Sequence, residues 1–177
     1  MKKLFLLAVV ILSASVIANA QFGYGIKAGM NLAALNGGEV DKMKAGFQAG
    51  VFGQLKIANF AIQPEVLFSM QGGAAGSASL NMNYINIPVM LQYYLIPGLA
   101  LEAGPQFGLL LSAKAEGEDI KDAFKTTDFG INFGASYKLP LLPLGVFARY
   151  SLGLTNLDKI ADNGKNGVIQ VGAFLKF

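Results

Sequence analysis

The sequence predicts an all-β protein: an eight-stranded antiparallel up-and-down transmembrane β-barrel with an N-terminal signal peptide. Three observations predict this fold class. Apolar and non-apolar residues alternate with period two in eight segments. The connections between these segments are alternately long and short. The chain is 53% hydrophobic, yet beyond residue 20 it has no apolar run near the length of a transmembrane helix. A closed barrel is the remaining structure that can bury such a surface in lipid with its backbone paired.

Residues 1–20 are predicted to be a secretory signal peptide that is cleaved. The start MKK is positive, the run LFLLAVVILSASVIA is apolar, and the small residues ANA end at Ala20, so cleavage is expected between Ala20 and Gln21. A transmembrane anchor is disfavoured because the run is shorter than the ~20 residues that a spanning helix needs. Residues 21–177 then form the outer-membrane β-barrel domain, exported through the Sec route.

Composition restricts the classes of partner and of chemistry. Without the first 20 residues the chain has 12 basic and 11 acidic side chains, so a nucleic-acid-binding function loses its main support. The sequence contains no Cys, which excludes disulfides, thiolate metal sites and the lipid anchor of a lipoprotein. We expect neither a cofactor nor a metal ion.

The first strand, 22–32, has an alternative interpretation because its glycines and Ala28 satisfy the dinucleotide-binding pattern G-x-G-x-x-A. Such a loop should follow a strand and open a helix, whereas this segment directly follows the cleavage site and keeps alternating to its end. A β-strand is therefore predicted, with Ile26 facing lipid and Lys27 facing the lumen.

The other seven strands follow from the same alternation. They are predicted at about 46–57, 60–71, 84–94, 99–113, 128–137, 144–154 and 169–177. Their apolar faces begin with Phe47, Phe60, Ile85, Leu99, Phe129, Leu144 and Ile169, and their opposite faces consist mainly of Gly, Gln, Asn and Ser with a few charges.

The connections alternate in length along the chain. The long ones are AALNGGEVDKMKA, GGAAGSAS, AEGEDIKDAFKTT and NLDKIADNGKNG, and the short ones lie at 58–59, 96–98 and 139–143. Long loops outside and short turns in the periplasm are typical of an outer-membrane barrel.

The apolar face is predicted to face lipid. A soluble lipocalin-type barrel would use the same alternation with the faces reversed. However, 15 of the 23 charges beyond residue 20 lie in the segments 39–44, 114–125 and 158–165, and a water-facing exterior would carry more of them. Aromatic residues also fall near the strand ends, as in the two girdles of an outer-membrane barrel.

Five segments, GIKAGMNLAAL, AIQPEVLFSMQGG, YINIPVMLQYY, LEAGPQFGLLLSAK and VIQVGAFLKF, together resemble the outer-membrane β-barrel domain of the PorT-type porin family. The resemblance covers essentially the whole chain beyond residue 20. It implies an eight-stranded barrel in a Gram-negative outer membrane, and it implies that the terminal aromatic Phe177 is the sorting signal read by the barrel-assembly machinery. It implies little about activity. Some relatives serve in protein secretion, and no residue of this sequence indicates the same role.

Five charged residues are predicted to face the lumen: Lys27, Glu65, Glu102, Asp128 and Arg149. Charges confined in a narrow lumen are costly unless they are paired. We therefore expect Glu65 and Glu102 to flank Arg149 or Lys27, which would crosslink the strands and close the lumen. A proton or ion path along these residues is the alternative, disfavoured because eight strands leave an interior that side chains just fill.

No catalytic residue is predicted, because the chain has no His and the barrel enzymes considered rely on His as base or shuttle. We expect a non-enzymatic monomer that contacts outer-membrane lipids, with a structural or surface-interaction role and a side-chain-filled lumen. The alternatives are a narrow porin-like channel for small solutes and an accessory barrel of a protein secretion complex, whose partner would bind through the loops.

Overall fold

The computed structural model describes residues 21–35, 44–75, 78–115, 118–119, 126–154 and 166–177. The predicted signal peptide, 1–20, and much of the long connections lie outside these residues. The barrel strands are β1 Gln21–Leu35, β2 Lys44–Ile57, β3 Phe60–Ala75, β4 Ala78–Ile96, β5 Leu99–Ala115, β6 Thr127–Lys138, β7 Leu144–Gly153 and β8 Asn166–Lys176. A two-residue strand, Glu118–Asp119, pairs with the end of β5. The described ranges contain no helix long and apolar enough to cross a membrane.

The sheet closes on itself. Each strand pairs antiparallel with its neighbour, and β8 pairs with β1. When the register partners are followed from strand to strand once around the barrel, the path that starts at Phe22 on β1 returns to β1 at Leu32, ten residues further along. The path is Phe22, Leu55, Ile62, Leu91, Ala103, Phe133, Tyr150, Ile169 and Leu32. An offset of this size over eight strands tilts the strands by about 40° and leaves room inside for little more than side chains. The predicted fold class is confirmed.

Burial follows the predicted alternation. Exposed and buried residues alternate without exception along β7, from Leu144 to Gly153. On β1, Ile26 is 50% exposed and Lys27 is 3% exposed. Each of the eight barrel strands exposes large apolar side chains, which is the pattern of a surface solvated by lipid.

The hairpin of β3 and β4 is taller than predicted. The segment GGAAGSAS is expected to be a loop, but the two strands stay paired as far as Ala75 and Ala78. Gly, Ala and Ser have weak strand propensity, so the composition of this segment does not indicate that its two strands pair. The pairing with the neighbouring strand nevertheless continues through it. The expectation of a long connection at this point is wrong.

A bulge changes the faces near the end of β5. Tyr84 pairs with Leu110 and Asn83 pairs with Ser112, so Leu111 is an extra residue on β5. Ser112 is predicted on the lumen face, but it is only half-buried and accepts a hydrogen bond from Asn83 Nδ2 at 2.9 Å. Beyond the bulge Ala113 takes the lumen position instead and is fully buried.

The three short turns use the left-handed backbone region. Gly98 has φ of 91°, and Ala58 and Leu141 have φ of 53° and 67°, which costs a residue with a side chain about 1 kcal/mol. Lys138 Nζ donates to Leu142 O at 2.9 Å and braces its turn.

Aromatic rings meet at both ends of the barrel. Tyr24 and Phe177 lie 5.9 Å apart at the short-turn end, and Phe107 and Phe129 lie 5.1 Å apart toward the long connections. Rings at these two levels are suited to the two membrane interfaces.

Candidate functional site: an ion cluster across the lumen

Four charged side chains meet inside the barrel and are called here the Arg149 cluster: Lys27, Glu65, Glu102 and Arg149. Arg149 Nη1 and Nη2 donate to Glu65 Oε2 and Oε1 at 3.0 and 2.9 Å. Arg149 Nε and Nη2 donate to Glu102 Oε1 at 3.0 and 2.9 Å. Lys27 Nζ donates to Glu65 Oε1 at 3.2 Å. None of the four is more than 4% exposed, and two cations balance two carboxylates.

The cluster links alternate strands of the barrel. Lys27, Glu65, Glu102 and Arg149 lie on β1, β3, β5 and β7. Because β3 and β7 are four strands apart in a barrel of eight, they form opposite walls. The bidentate pair between Glu65 and Arg149 therefore crosses the lumen.

A glycine on the intervening strand lets Arg149 reach Glu102. Gly134 on β6 pairs with Glu102 on one side and with Arg149 on the other. A Cβ at Gly134 would lie 2.9 Å from Arg149 Cα and 3.1 Å from Arg149 Cβ. It would also overlap the backbone oxygen of Ala148, so a side chain at this position would displace the β7 backbone at Arg149.

Two glutamines complete the hydrogen bonding of the carboxylates. Gln63 Nε2 donates to Glu65 Oε1 at 2.8 Å, and Gln92 Nε2 donates to Glu102 Oε2 at 3.0 Å. Each of the four carboxylate oxygens thus accepts at least one hydrogen bond. Charged groups out of water need this degree of satisfaction to be tolerated.

Phe147 packs beside the two cations. Its ring centroid lies 4.0 Å from Lys27 Nζ and 5.9 Å from Arg149 Cζ, within the range of cation–π attraction. The ring fits because Gly29 and Gly172 face it, and an added Cβ would lie 3.1 and 2.8 Å from its atoms.

Side chains also fill the lumen on either side of the cluster. Toward the short turns there remains a cavity of about 20 Å³, room for about one water molecule. Toward the long connections buried apolar and polar side chains share the filling. Met82, Tyr84, Leu110 and Val168 are at most 2% exposed, and the amides of Asn31, Gln48 and Gln170 are fully buried. The lumen is occupied at three successive levels.

Asp128 is the one predicted lumen charge that lies away from the Arg149 cluster. It faces inward and is 9% exposed, but it lies six residues from Gly134 along β6, which is about 20 Å at the usual rise per residue. The structure brings together the other four predicted charges and places Asp128 at the long-connection end.

The predicted terminal residues lie at the short-turn end. Phe177 N donates to Tyr24 O at 2.7 Å, and the Phe177 side chain is 61% exposed. Gln21 is the first residue of β1, whereas Ala20 and hence the cleavage site lie outside the described residues.

Some residues of this interior were missed by sequence reasoning. Met82 and Val168 lie outside the predicted strands, although each continues the alternation of its strand by a further step. Gln63, Gln92 and Phe147 fall on the predicted lumen face, but the alternation carries no sign of their contact with the charges. Within the described ranges no group of three or more His, Cys, Asp or Glu side chains could hold a metal ion.

Comparison with known proteins agrees with this architecture. The family model described as outer membrane protein beta-barrel domain matches residues 17–159. The chain belongs to this family. It is an integral barrel of the outer membrane, with its apolar face in contact with lipid.

Two solved structures are similar to the barrel. Neisserial surface protein A has 18% identity and a TM-score of 0.62, with 89% of this chain and 99% of that chain covered. Ail, the attachment invasion locus protein of Yersinia pestis, solved with the heparin analogue sucrose octasulfate, has 17% identity and a TM-score of 0.57, with 89% and 99% covered. At these identities the likeness shows the fold. No curated protein sequence matches the chain significantly.

Proposed function

We propose that this protein is a non-enzymatic outer-membrane barrel with a structural or surface-interaction role, and that the Arg149 cluster closes its lumen. The observation that carries the proposal is the bidentate pair from Arg149 on β7 to Glu65 on the opposite wall. A guanidinium held between two carboxylates in the middle of the lumen blocks the path that a solute would take.

Opening this path is energetically costly. It would separate Arg149 from Glu65 and Glu102 at a level where all three side chains are shielded from solvent. Leaving a buried charge without its partner costs about 3–5 kcal/mol. Since 1.4 kcal/mol is a factor of ten, fewer than about one molecule in a hundred would be open at a time.

The long-connection end supports a surface role. Strands β3, β4 and β5 have 16, 19 and 17 residues, whereas a strand crosses the bilayer with about 9–11. Strand β3 begins at a short turn and β4 ends at one, so the excess length of both strands lies at the opposite end of the barrel. A paired wall that extends past the membrane would give the outer loops a rigid base for contacts with other molecules.

Planar-bilayer recording tests the closed lumen. The wild-type protein is expected to show no steady conductance, and Arg149→Ala is expected to show brief openings at most. Lys114→Gln, which changes an exposed charge near the end of β5, is the matched control. A steady wild-type conductance that changes in Arg149→Ala and not in Lys114→Gln would instead support the porin-like channel. Heat-dependent gel mobility would establish that each variant is folded.

We further propose that the barrel-assembly machinery recognises the last strand through Phe177. The proposal is supported by the exposed position of this ring and by its contact with Tyr24 at the β8–β1 seam. Phe177→Ala is expected to reduce the folded protein recovered from outer membranes several-fold. Phe22→Ala, which removes an even more exposed ring on β1, is expected to change it little.

Membership of the PorT-type group within the family is part of the same proposal and rests on the five segments quoted above. The secretion role of some members would require a partner protein. Crosslinking followed by purification from cells tests this role. Recovery of the barrel alone would contradict it.

A further inference from the structure

Three lysines gather at the short-turn end of the lumen, and this opening is called here the lysine mouth. Lys56, Lys138 and Lys176 lie on three different strands, β2, β6 and β8, at lumen-facing positions and are half-buried. Lys138 and Lys176 line the 20 Å³ cavity beneath the Arg149 cluster.

Neutral groups connect two of these lysines, Lys56 and Lys176, to each other. Lys56 Nζ lies 3.8 Å from the centroid of the Tyr94 ring, and Tyr94 Oη accepts a hydrogen bond from Gln54 Nε2 at 3.1 Å. Gln54 Oε1 in turn accepts a short hydrogen bond from Lys176 Nζ. Lys138 Nζ donates to the carbonyl oxygens of its own turn.

Within the part of the chain that the structure describes, no carboxylate side chain forms an ion pair with the lysine mouth. Among the described residues, every ion pair belongs to the Arg149 cluster. The carboxylate that lines the same cavity, Glu102, is already bound by Arg149 and Gln92. Like charges held close together destabilise one another unless an opposite charge joins them.

The backbone makes room for this arrangement. A Cβ at Gly23 on β1 would overlap Lys176 Cε, so glycine at this position allows the lysine to lie against the wall. Each ammonium group has three N–H donors, and Lys176 uses one of them on Gln54. Lys56 makes a ring contact in place of a hydrogen bond to a protein acceptor. Donors therefore remain for a ligand at the opening.

We propose that the lysine mouth binds a phosphate group presented from the periplasmic side. Ammonium groups are common phosphate ligands in proteins. A phosphate monoester carries enough negative charge to offset more than one lysine, and the phosphodiester of a phospholipid offsets one. The cavity itself admits about one water molecule, so the phosphate would sit at the opening. It would come either from the headgroup of a phospholipid in the inner leaflet or from a soluble phosphate compound. The inference is independent of the surface role.

Calorimetric titration with inorganic pyrophosphate tests the site. The full-length mature barrel in a nonionic detergent is expected to bind pyrophosphate saturably at low ionic strength. The double variant Lys138→Gln/Lys176→Gln should bind at least tenfold more weakly, and Lys56→Gln should weaken binding by a smaller factor. Lys114→Gln, at the far end of the barrel, is the matched control and should bind as the wild type does. Heat-dependent gel mobility confirms that each variant is folded.

A second measurement in phosphatidylglycerol nanodiscs separates the two sources. If pyrophosphate still binds there, a soluble phosphate is the ligand. If binding is lost and the double variant retains fewer phosphatidylglycerol molecules than the wild type after detergent extraction, the ligand is the lipid headgroup. Absence of saturable binding in detergent, an equal loss of affinity in Lys114→Gln, or loss in nanodiscs with equal lipid retention would overturn the proposal.

Discussion

Gly134 lies beside Arg149 as its register partner on β6, and a Cβ at the glycine would come within 3.1 Å of the arginine Cβ. The glycine also pairs with Glu102 on its other side. The missing side chain therefore leaves room for the β7 backbone and for Arg149 Cβ between the two register partners. The position of Arg149 in the cluster thus depends on an uncharged residue of the neighbouring strand.

Gly134→Ala should lower the free energy of unfolding by about 1–3 kcal/mol, as overpacking of a filled interior usually does. Urea unfolding in lipid vesicles, followed by circular dichroism, measures this change. Gly53→Ala is the control, because an added Cβ there meets no atom within 4 Å, and it should change the stability by less than about 0.5 kcal/mol. Equal losses in the two variants would show that the space beside Arg149 is not restricted.

Arg149→Met should lower the free energy of unfolding by about 3–5 kcal/mol, because it leaves two buried carboxylates with one cation. Adding Glu102→Gln leaves Lys27 and Glu65 as a neutral pair, so the double variant should recover more than half of the loss. The same urea titration measures both variants. If the double variant is no more stable than Arg149→Met, charge balance does not control the stability of the cluster.

Asp128→Asn should not couple to Arg149→Met. The distance along β6 places Asp128 beyond the range at which neighbouring substitutions interact, so a double-mutant cycle should give a coupling energy below about 0.5 kcal/mol. The corresponding cycle for Glu65→Gln and Arg149→Met should give a coupling energy above about 1 kcal/mol, which is the order of magnitude found for residues in direct contact. Similar coupling energies in the two cycles would place Asp128 within the cluster.

Phe147→Leu should lower the free energy of unfolding by about 1–3 kcal/mol, from the lost cation–π contact with Lys27 and the space left beside Gly29. Phe133→Leu is the matched control, since this ring is 49% exposed on the lipid face. We expect it to cost less than half as much. A larger loss in Phe133→Leu would mean that lipid contact outweighs the packing of the lumen.

Period-two alternation was sufficient to predict the faces of the strands, because in a barrel with one side in lipid every second side chain meets the same environment. It predicts that Lys27, Glu65, Glu102, Asp128 and Arg149 face the lumen, and all five are buried in the structure. It could not give their heights. The level of each residue along the barrel axis depends on the ten-residue offset around the barrel. A local sequence pattern does not contain this offset. For this reason the prediction groups Asp128 with charges that it does not contact.

The expectation of a long connection between β3 and β4 and the assignment of Ser112 on β5 are wrong for a related reason. The paired ends of β3 and β4 have a loop-like composition, and their strand structure comes from the neighbouring backbone. The bulge at Leu111 is likewise a matter of pairing between two strands. A bulge of one residue reverses the faces beyond it, so Ser112 was assigned to the wrong side although the strand itself was correctly predicted.

The pair between Glu65 and Arg149 spans 84 residues of the chain. Hairpins of adjacent strands can form early from local contacts, but this bond needs both walls of the barrel and so forms among the last steps of folding. Until then Glu65 and Arg149 lack the bidentate pair that joins them, which makes entry of a partly assembled sheet into the hydrocarbon core of the bilayer costly. The same side chains that fill the finished interior thus favour membrane insertion of a closed sheet over an open one.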